Sequence, residues 1–280
     1  MDRLAEYLKR GWHGKGNHAV TDVIINADDL GYSEAVNLAI EQALSLGRIS
    51  SATLMANAPA TSGGLAVARR HPEASVGIHL NLTEFEPLSD PAPLRDVGLL
   101  DGSGRFAGTI RSFRASRALQ RACFAELDAQ IQHLRDQGFH PSHLDSHHHI
   151  HTIGWMLPVV QRLQRRHAIR RLRNTMNVYG GRDVDGSPAR RAPSLRLRSA
   201  KRAWQVAMRL GGGRLPEVFT GLHIFLEDPS RPEFLSASSI ELMCHPGQDG
   251  FEAETARLLD PGRPVLDGRF RLQTFHDLPD

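Results

Sequence analysis

The chain has 280 residues, 40% of them hydrophobic and 23% charged, which excludes a peptide, a disulfide-framed miniprotein, a coiled coil and a disordered polymer. Its 34 lysines and arginines nearly cancel 31 aspartates and glutamates, leaving a net charge of +3, too even a balance for a nucleic-acid-binding surface. No apolar run approaches the roughly 18–20 residues of a membrane span.

Residues 1–20 carry basic groups with no apolar stretch before Thr21. They read as an N-terminal extension rather than a secretory signal, so a cytoplasmic protein is expected. Residues 21–280 read as one domain without linker or internal repeat. The β-branched run Val23-Ile24-Ile25 predicts a first strand ending at Asn26-Ala27-Asp28-Asp29. Ser33 is placed to cap the next helix, where Val36, Ala39, Ile40, Ala43 and Leu44 recur at helical spacing until Gly47 stops it. A second strand is expected from Ser51 to Ala56 and a helix from about Thr61 to Arg70. Ser75 to Leu82 alternates with a period of two, as a third strand does. Residues 83–114 read as irregular, with Pro87, Pro91, Pro93 and the turn Asp101-Gly102-Ser103-Gly104.

A long helix from about Ser116 to Gln137 is expected to bury Leu119, Cys123, Leu127, Ile131 and Leu134. Strands follow at Ser142 to Ile150 and near Ile169–Asn174, with a helix around Trp155–Arg166 between them. A basic excursion at about 175–216 holds one amphipathic helix. Further strands are expected at Val218–Phe225, Ile240–Cys244 and Phe270–Phe275. Strand and helix alternate seven or eight times, which predicts an α/β fold: a parallel sheet with crossover helices, closed or nearly closed into a barrel. Cys123 and Cys244 lie in apolar stretches and read as buried reduced thiols.

The 15 histidines are the unusual feature of the composition. In a parallel barrel the chemistry sits at the carboxyl ends of the strands. Four expected strand ends carry acids or imidazoles: Asp28-Asp29, His79, the Asp145 to His151 cluster, and His245-Pro246-Gly247. Two neighbouring carboxylates can divide labour, one binding a cation while the other accepts a proton. The bland alternative is that Asp28 and Asp29 cap the next helix. If the strand continued, Asp145, His147, His149 and His151 would share a face and His148 would oppose them. Asp29, His79 and His147 would make a two-imidazole, one-carboxylate set with water completing it. The alternatives are a surface cluster of incidental metal affinity, and a satisfied core role for His79.

The segments Asn26-Ala27-Asp28-Asp29-Leu30-Gly31, Ser50 to Met55, Gly77 to Leu82, His143 to His151 and Glu241 to Gly247 together resemble the YdjC-like carbohydrate deacetylases, in that family's order and over about residues 22–278. The resemblance implies an irregular (β/α) barrel of seven strands, related to the polysaccharide deacetylases. It implies one divalent metal ion, Mg2+ or Zn2+, held at Asp29, His79 and His147. It also implies removal of acetyl from an N-acetylated sugar, with Asp28 at the catalytic-base position. The family usually carries Arg-Leu-Pro where this chain reads Arg170-Arg171-Leu172-Arg173-Asn174, and Arg171 is assigned as the arginine that reaches the site. Hopanoid-associated members differ around the histidine cluster, so their substrate is not carried over.

The expected function is a metal-dependent hydrolase acting on an N-acetylated oligosaccharide or lipid-linked saccharide. Asp28 would accept the proton of water and His245 would give one to the leaving amine. His149 and His151, with Asp145, would contact substrate or orient the ligands. A non-catalytic metal- or sugar-binding protein on the same scaffold is the rival, but it needs no base beside Asp29. Between Gly186 and Arg214 stand eight lysines and arginines and no acid, interleaved with Leu195, Leu197, Trp204 and Met208. That helix either packs its apolar face and leaves the charges solvated, or meets an anionic membrane or lipid-linked substrate. A homodimer stays open.

Overall fold

Strand β1 runs from Thr21 to Leu30, well beyond its β-branched start, and is buried along almost its whole length. The computed structural model describes residues 20–175, 177–179 and 194–278. The extension expected over residues 1–20, apart from Val20, and part of the basic excursion therefore lie outside the described residues.

The other strands are β2 (Ser51–Leu54), β3 (Ser75–Leu80), β4 (Leu144–Ser146), β5 (Val218–Gly221), β6 (Ser239–Cys244) and β7 (Phe270–Leu272). They form one seven-stranded sheet in the order β4-β3-β2-β1-β6-β5, with β7 also paired to β1. Every pairing is parallel. β1 shares its amino-terminal half with β7 and its carboxyl half with β2, while β6 runs along its other edge. Strands buried on both faces read as continuous apolar runs, and Val23, Ile24, Ile25 and Ala27 are at most 1% exposed.

The sheet curls into the barrel form. Isolated parallel bridges join Leu172 to Leu144 of edge strand β4 and Asn177 to Phe219 of edge strand β5. The strand expected near Ile169–Asn174 is therefore reduced to isolated bridges, Leu172 with Leu144 of β4 and Arg171 with Arg214.

The helices are α1 (Glu34–Ser45), α2 (Thr61–Arg70), α3 (Pro91–Asp96), α4 (Arg117–Asp136), α5 (Leu157–His167), α6 (Leu195–Leu210), α7 (Leu222–Glu227), α8 (Pro232–Leu235) and α9 (Glu252–Leu259). Ser33 caps α1 by accepting from the Val36 amide, and Ser116 caps α4 through the Leu119 amide. α4 buries Leu119, Cys123, Leu127, Ile131 and Leu134, as its spacing predicts. Both cysteines are free and buried.

Other expectations also change. The strand expected from Ser142 to Ile150 stops at Ser146, because His148 and His149 take φ of 51° and 52°. Left-handed residues cannot continue a strand, and the Ser146 hydroxyl fixes the turn by accepting from the His151 amide at 3.0 Å. The run Val218–Phe225 becomes β5 followed directly by α7. Residues 83–114, expected as irregular, contain α3, whose N-cap is Asp90.

The basic helix α6 packs Trp204 and Met208 into the core. Leu195, Leu197 and Leu210 stay 81%, 48% and 61% exposed. No described helix is long and apolar enough to cross a membrane.

Candidate active site

The end of β1 is shaped to send two adjacent carboxylates to different partners. The pairing of β1 with β2 shifts register between Ala27 and Leu30, and Asp29 adopts a φ of 68°. Gly31 follows at a φ of 91°, where an added Cβ would lie 3.2 Å from the Met55 carbonyl and from Thr61 Cα, so the turn requires glycine. Ser33 caps the helix beyond, so neither aspartate is used for that purpose.

Asp29 faces two imidazoles. Its Oδ1 lies 3.1 Å from His79 Nε2 and 2.8 Å from His147 Nδ1. The Gln248 amide donates to its Oδ2 at 3.0 Å. The outer nitrogen of each ring meets another carboxylate: His79 Nδ1 lies 2.7 Å from Asp145 Oδ1, and His147 Nε2 lies 3.2 Å from Glu84 Oε1. The three residues expected as ligands thus converge, although 118 positions separate Asp29 from His147. One oxygen and two nitrogens, backed by outer carboxylates, suit a borderline divalent ion.

Asp28 faces the other way. Arg173 Nη1 and Nη2 donate to its two oxygens at 2.6 Å each. The Asn26 amide donates to Oδ1 at 2.9 Å. The same guanidinium lies 3.0 Å from Asp145 Oδ2 and donates from Nε to Glu241 Oε1 at 2.6 Å. Thr53 donates to Asp145 Oδ2 at 3.0 Å.

Arg173 is 0% exposed and stands at the centre of the charge network. Arg171, expected to reach the site, instead donates to the His276 carbonyl at 3.0 Å. The reason is depth: Arg171 and Arg173 share one parity, but Arg173 lies further toward the carboxyl end of the segment. Glu241 was not anticipated from sequence either, although a lone acid inside the apolar run Ile240–Cys244 is a readable signal. Glu84, Thr53 and Tyr32 carried no such signal.

Three buried carboxylates, Asp28, Asp145 and Glu241, thus share one buried guanidinium, and a fourth, Asp29, faces the imidazoles. In the protein alone, the excess negative charge draws protons onto the imidazoles. Burial works against it, but Asp145, Asp29 and Asp28 push His79 up to about 10. His147 is likewise pushed up to about 9, against burial, by Asp29 and Glu84. A divalent ion between Asp29, His79 and His147 would compensate the same charge and displace those protons, a further respect in which these residues fit a cation. Burial opposes ionisation of Asp28, yet Arg173 outweighs it and holds the carboxyl well below its usual range.

The remaining expected residues surround this centre. His245, at the end of β6, places Nε2 3.9 Å from Asp28 Oδ2. Burial lowers its pKa, so it is neutral near pH 7. Its amide donates to Glu254 Oε1 at 2.7 Å. His149 is pushed down to about 3, and His151 well below its ordinary value, both chiefly by burial. His151 Nδ1 lies 2.5 Å from the Ser146 hydroxyl, and its ring faces Trp204 of α6 at 6.0 Å. His149 faces Phe219 at 5.6 Å. Among the described residues, His149 Nδ1 and His151 Nε2 have no hydrogen-bond partner. Because the strand ends early, His147, His149 and His151 do not share a strand face. Asp145 is 0% exposed and braces His79 and Arg173 instead of lining an open surface.

A curled parallel sheet with acids and imidazoles gathered at the carboxyl ends of its strands defines a barrel-type α/β protein. The chain belongs to the YdjC-like protein family, whose model matches residues 22–264. Relatives named carbohydrate deacetylase occur in Halalkalibacterium halodurans, Geobacillus stearothermophilus and Brevibacillus brevis. They are 37%, 39% and 40% identical over 52%, 52% and 50% of this chain. Those alignments span 60%, 57% and 54% of the relatives, little more than half their length. A solved Enterococcus faecalis V583 structure, provisionally named for cellobiose-phosphate cleavage, has a TM-score of 0.63 at 22% identity, over 92% of this chain and 98% of that one. At that identity the likeness is one of fold.

Proposed function

We propose that the protein is a carbohydrate N-deacetylase dependent on one divalent cation, Mg2+ or Zn2+, held by Asp29, His79 and His147. The observation that carries this reading is the convergence of those three side chains beside a separate, arginine-clamped carboxylate. The names of the relatives support an N-acetylated saccharide as substrate. When bound, the ion polarises the acetyl carbonyl and acidifies water toward a pKa of about 7.

The protein's own groups handle the proton. Asp28 stays ionised and takes a proton from the attacking water as its oxygen adds to the acetyl carbon. His245, neutral in the free protein, receives that proton once the 3.9 Å gap to Asp28 closes to hydrogen-bond distance, and passes it to the sugar nitrogen as the C–N bond breaks. Acetate and the free amine leave. Neutral His149 and His151 suit hydrogen bonding to sugar groups rather than charge transfer.

One observation favours a second proton path. Arg173 engages both oxygens of Asp28, which weakens it as a base. On that path His245 takes the water proton directly and Asp28 orients the ring.

The test is acetate release from a panel of N-acetylated and lipid-linked sugars, with and without chelator. Chelator-sensitive release supports the proposal. Cation binding without release on any member would return the protein to the non-catalytic reading.

A further inference from the structure

We propose that Glu84 is a positioning residue for the cation site, holding the His147 ring with Nδ1 turned to Asp29 and a proton kept on Nε2. The inference rests on the cation-dependent reading above. It starts from a symmetry in the site. Each imidazole points one nitrogen at Asp29 and the other at an outer carboxylate: His79 at Asp145, His147 at Glu84. An outer acceptor selects the tautomer and fixes the ring of a metal-binding histidine.

Glu84 comes from the loop after β3, yet that loop holds it on several sides. The Asn81 side chain accepts from the Glu84 amide at 3.2 Å and donates to the Glu84 carbonyl at 2.7 Å. Asn81 is 0% exposed and is itself anchored by Gln130 of α4, which bonds its amide at 3.0 Å and its carbonyl at 2.6 Å. Phe85 takes a φ of 65°, unusual for an aromatic residue, and sets its ring against Tyr32 at 5.2 Å. The Tyr32 hydroxyl in turn interacts with the Glu84 carboxylate. A strained, doubly pinned turn that delivers one carboxylate to His147 is a positioning device. The Glu84 side chain is 31% exposed, so it can be altered without opening the core.

The test uses Zn2+ as probe, titrated into the unmodified protein, Glu84→Leu and Glu84→Gln, with ions per chain counted by elemental analysis and metal-free unfolding recorded for each. Glu84→Leu, which loses the acceptor, is expected to bind Zn2+ about 10–100-fold more weakly. Glu84→Gln, whose amide oxygen still accepts from Nε2–H, should recover most of that loss. Equal affinity in Glu84→Leu and the unmodified protein would overturn the inference. So would two ions per chain falling to one in Glu84→Leu, since Glu84 would then be a ligand together with His147 and His148. Nitrogen NMR of the Zn2+-loaded unmodified protein decides the point even if Glu84→Leu does not fold. A protonated, uncoordinated Nε2 on His147 is expected, and coordination through Nε2 would overturn the proposal. No Zn2+ binding by the unmodified protein would instead overturn the cation reading itself.

Discussion

Arg173 and Asp28 face each other fork to fork, with both guanidinium-to-carboxylate contacts at 2.6 Å and neither side chain open to solvent. Such a pair is costly to break from one side, because the remaining charge is left buried. Arg173→Met is expected to destabilise the fold by about 3–5 kcal/mol, as three carboxylates lose their shared partner. Arg173→Lys should recover part of the stability but little of the activity, since an ammonium cannot reproduce the bidentate fork. Arg171→Met should leave activity nearly unchanged. Urea unfolding and acetate release on the three variants check this together.

Asp28→Asn keeps the shape of the side chain and loses its basicity. Retained cation binding is expected, with a rate loss on the order of 10²–10⁴. If His245 is the base instead, His245→Gln should lose at least as much. The acidic limb of kcat/KM should then report an imidazole in the unmodified protein, and the pH–rate profiles separate the two paths.

Glu254 supplies a pH signature of stability. Burial raises its carboxyl to about 7 in the folded chain, against an ordinary 4.5. The unfolded chain releases this proton near 4.5 and the folded chain only near 7, so the folded state binds more protons in between. The stability of the fold should therefore fall as pH rises through that window, with the penalty complete above 7 and absent below 4.5. Glu254→Gln has no proton to lose, so its advantage over the unmodified protein should grow by up to about 3 kcal/mol between those limits. Paired denaturant melts across the range measure the difference. A gap independent of pH would place the carboxyl elsewhere.

Helix α6 tests the surface reading of the basic segment. Packing accounts for Trp204 and Met208, but Leu195, Leu197 and Leu210 remain outside beside Arg196, Arg198 and Arg202. Lys201 is engaged with Asn177 and Tyr179 at 2.7 and 2.6 Å and is better left intact. Weak, salt-sensitive binding to anionic vesicles is the expected outcome, lost when the three arginines become glutamate, with hydrolysis of a small soluble sugar unchanged. Cosedimentation at low salt measures it, and no binding there makes the segment a solvated insertion.

Local chemistry in the sequence already determines much of this protein. The β-branched start of β1, the Ser33 and Ser116 caps and the apolar spacing of α4 depend on neighbours within a few residues. The alternation of strand and helix implies a parallel sheet because its crossovers need helices. Asp29, His79 and His147 were legible as a candidate cation set because their chemistry and their places at strand ends agree. What only the tertiary structure decided depends on depth and direction. Arg171 and Arg173 look alike in sequence, and only the height of each along the barrel wall assigns one to His276 and the other to Asp28. The histidine run reads as one strand face until left-handed turns at His148 and His149 break it. Glu84 sits in a loop where no period constrains direction, and its place beside His147 exists only because Asn81, itself fixed by α4, folds the turn inward.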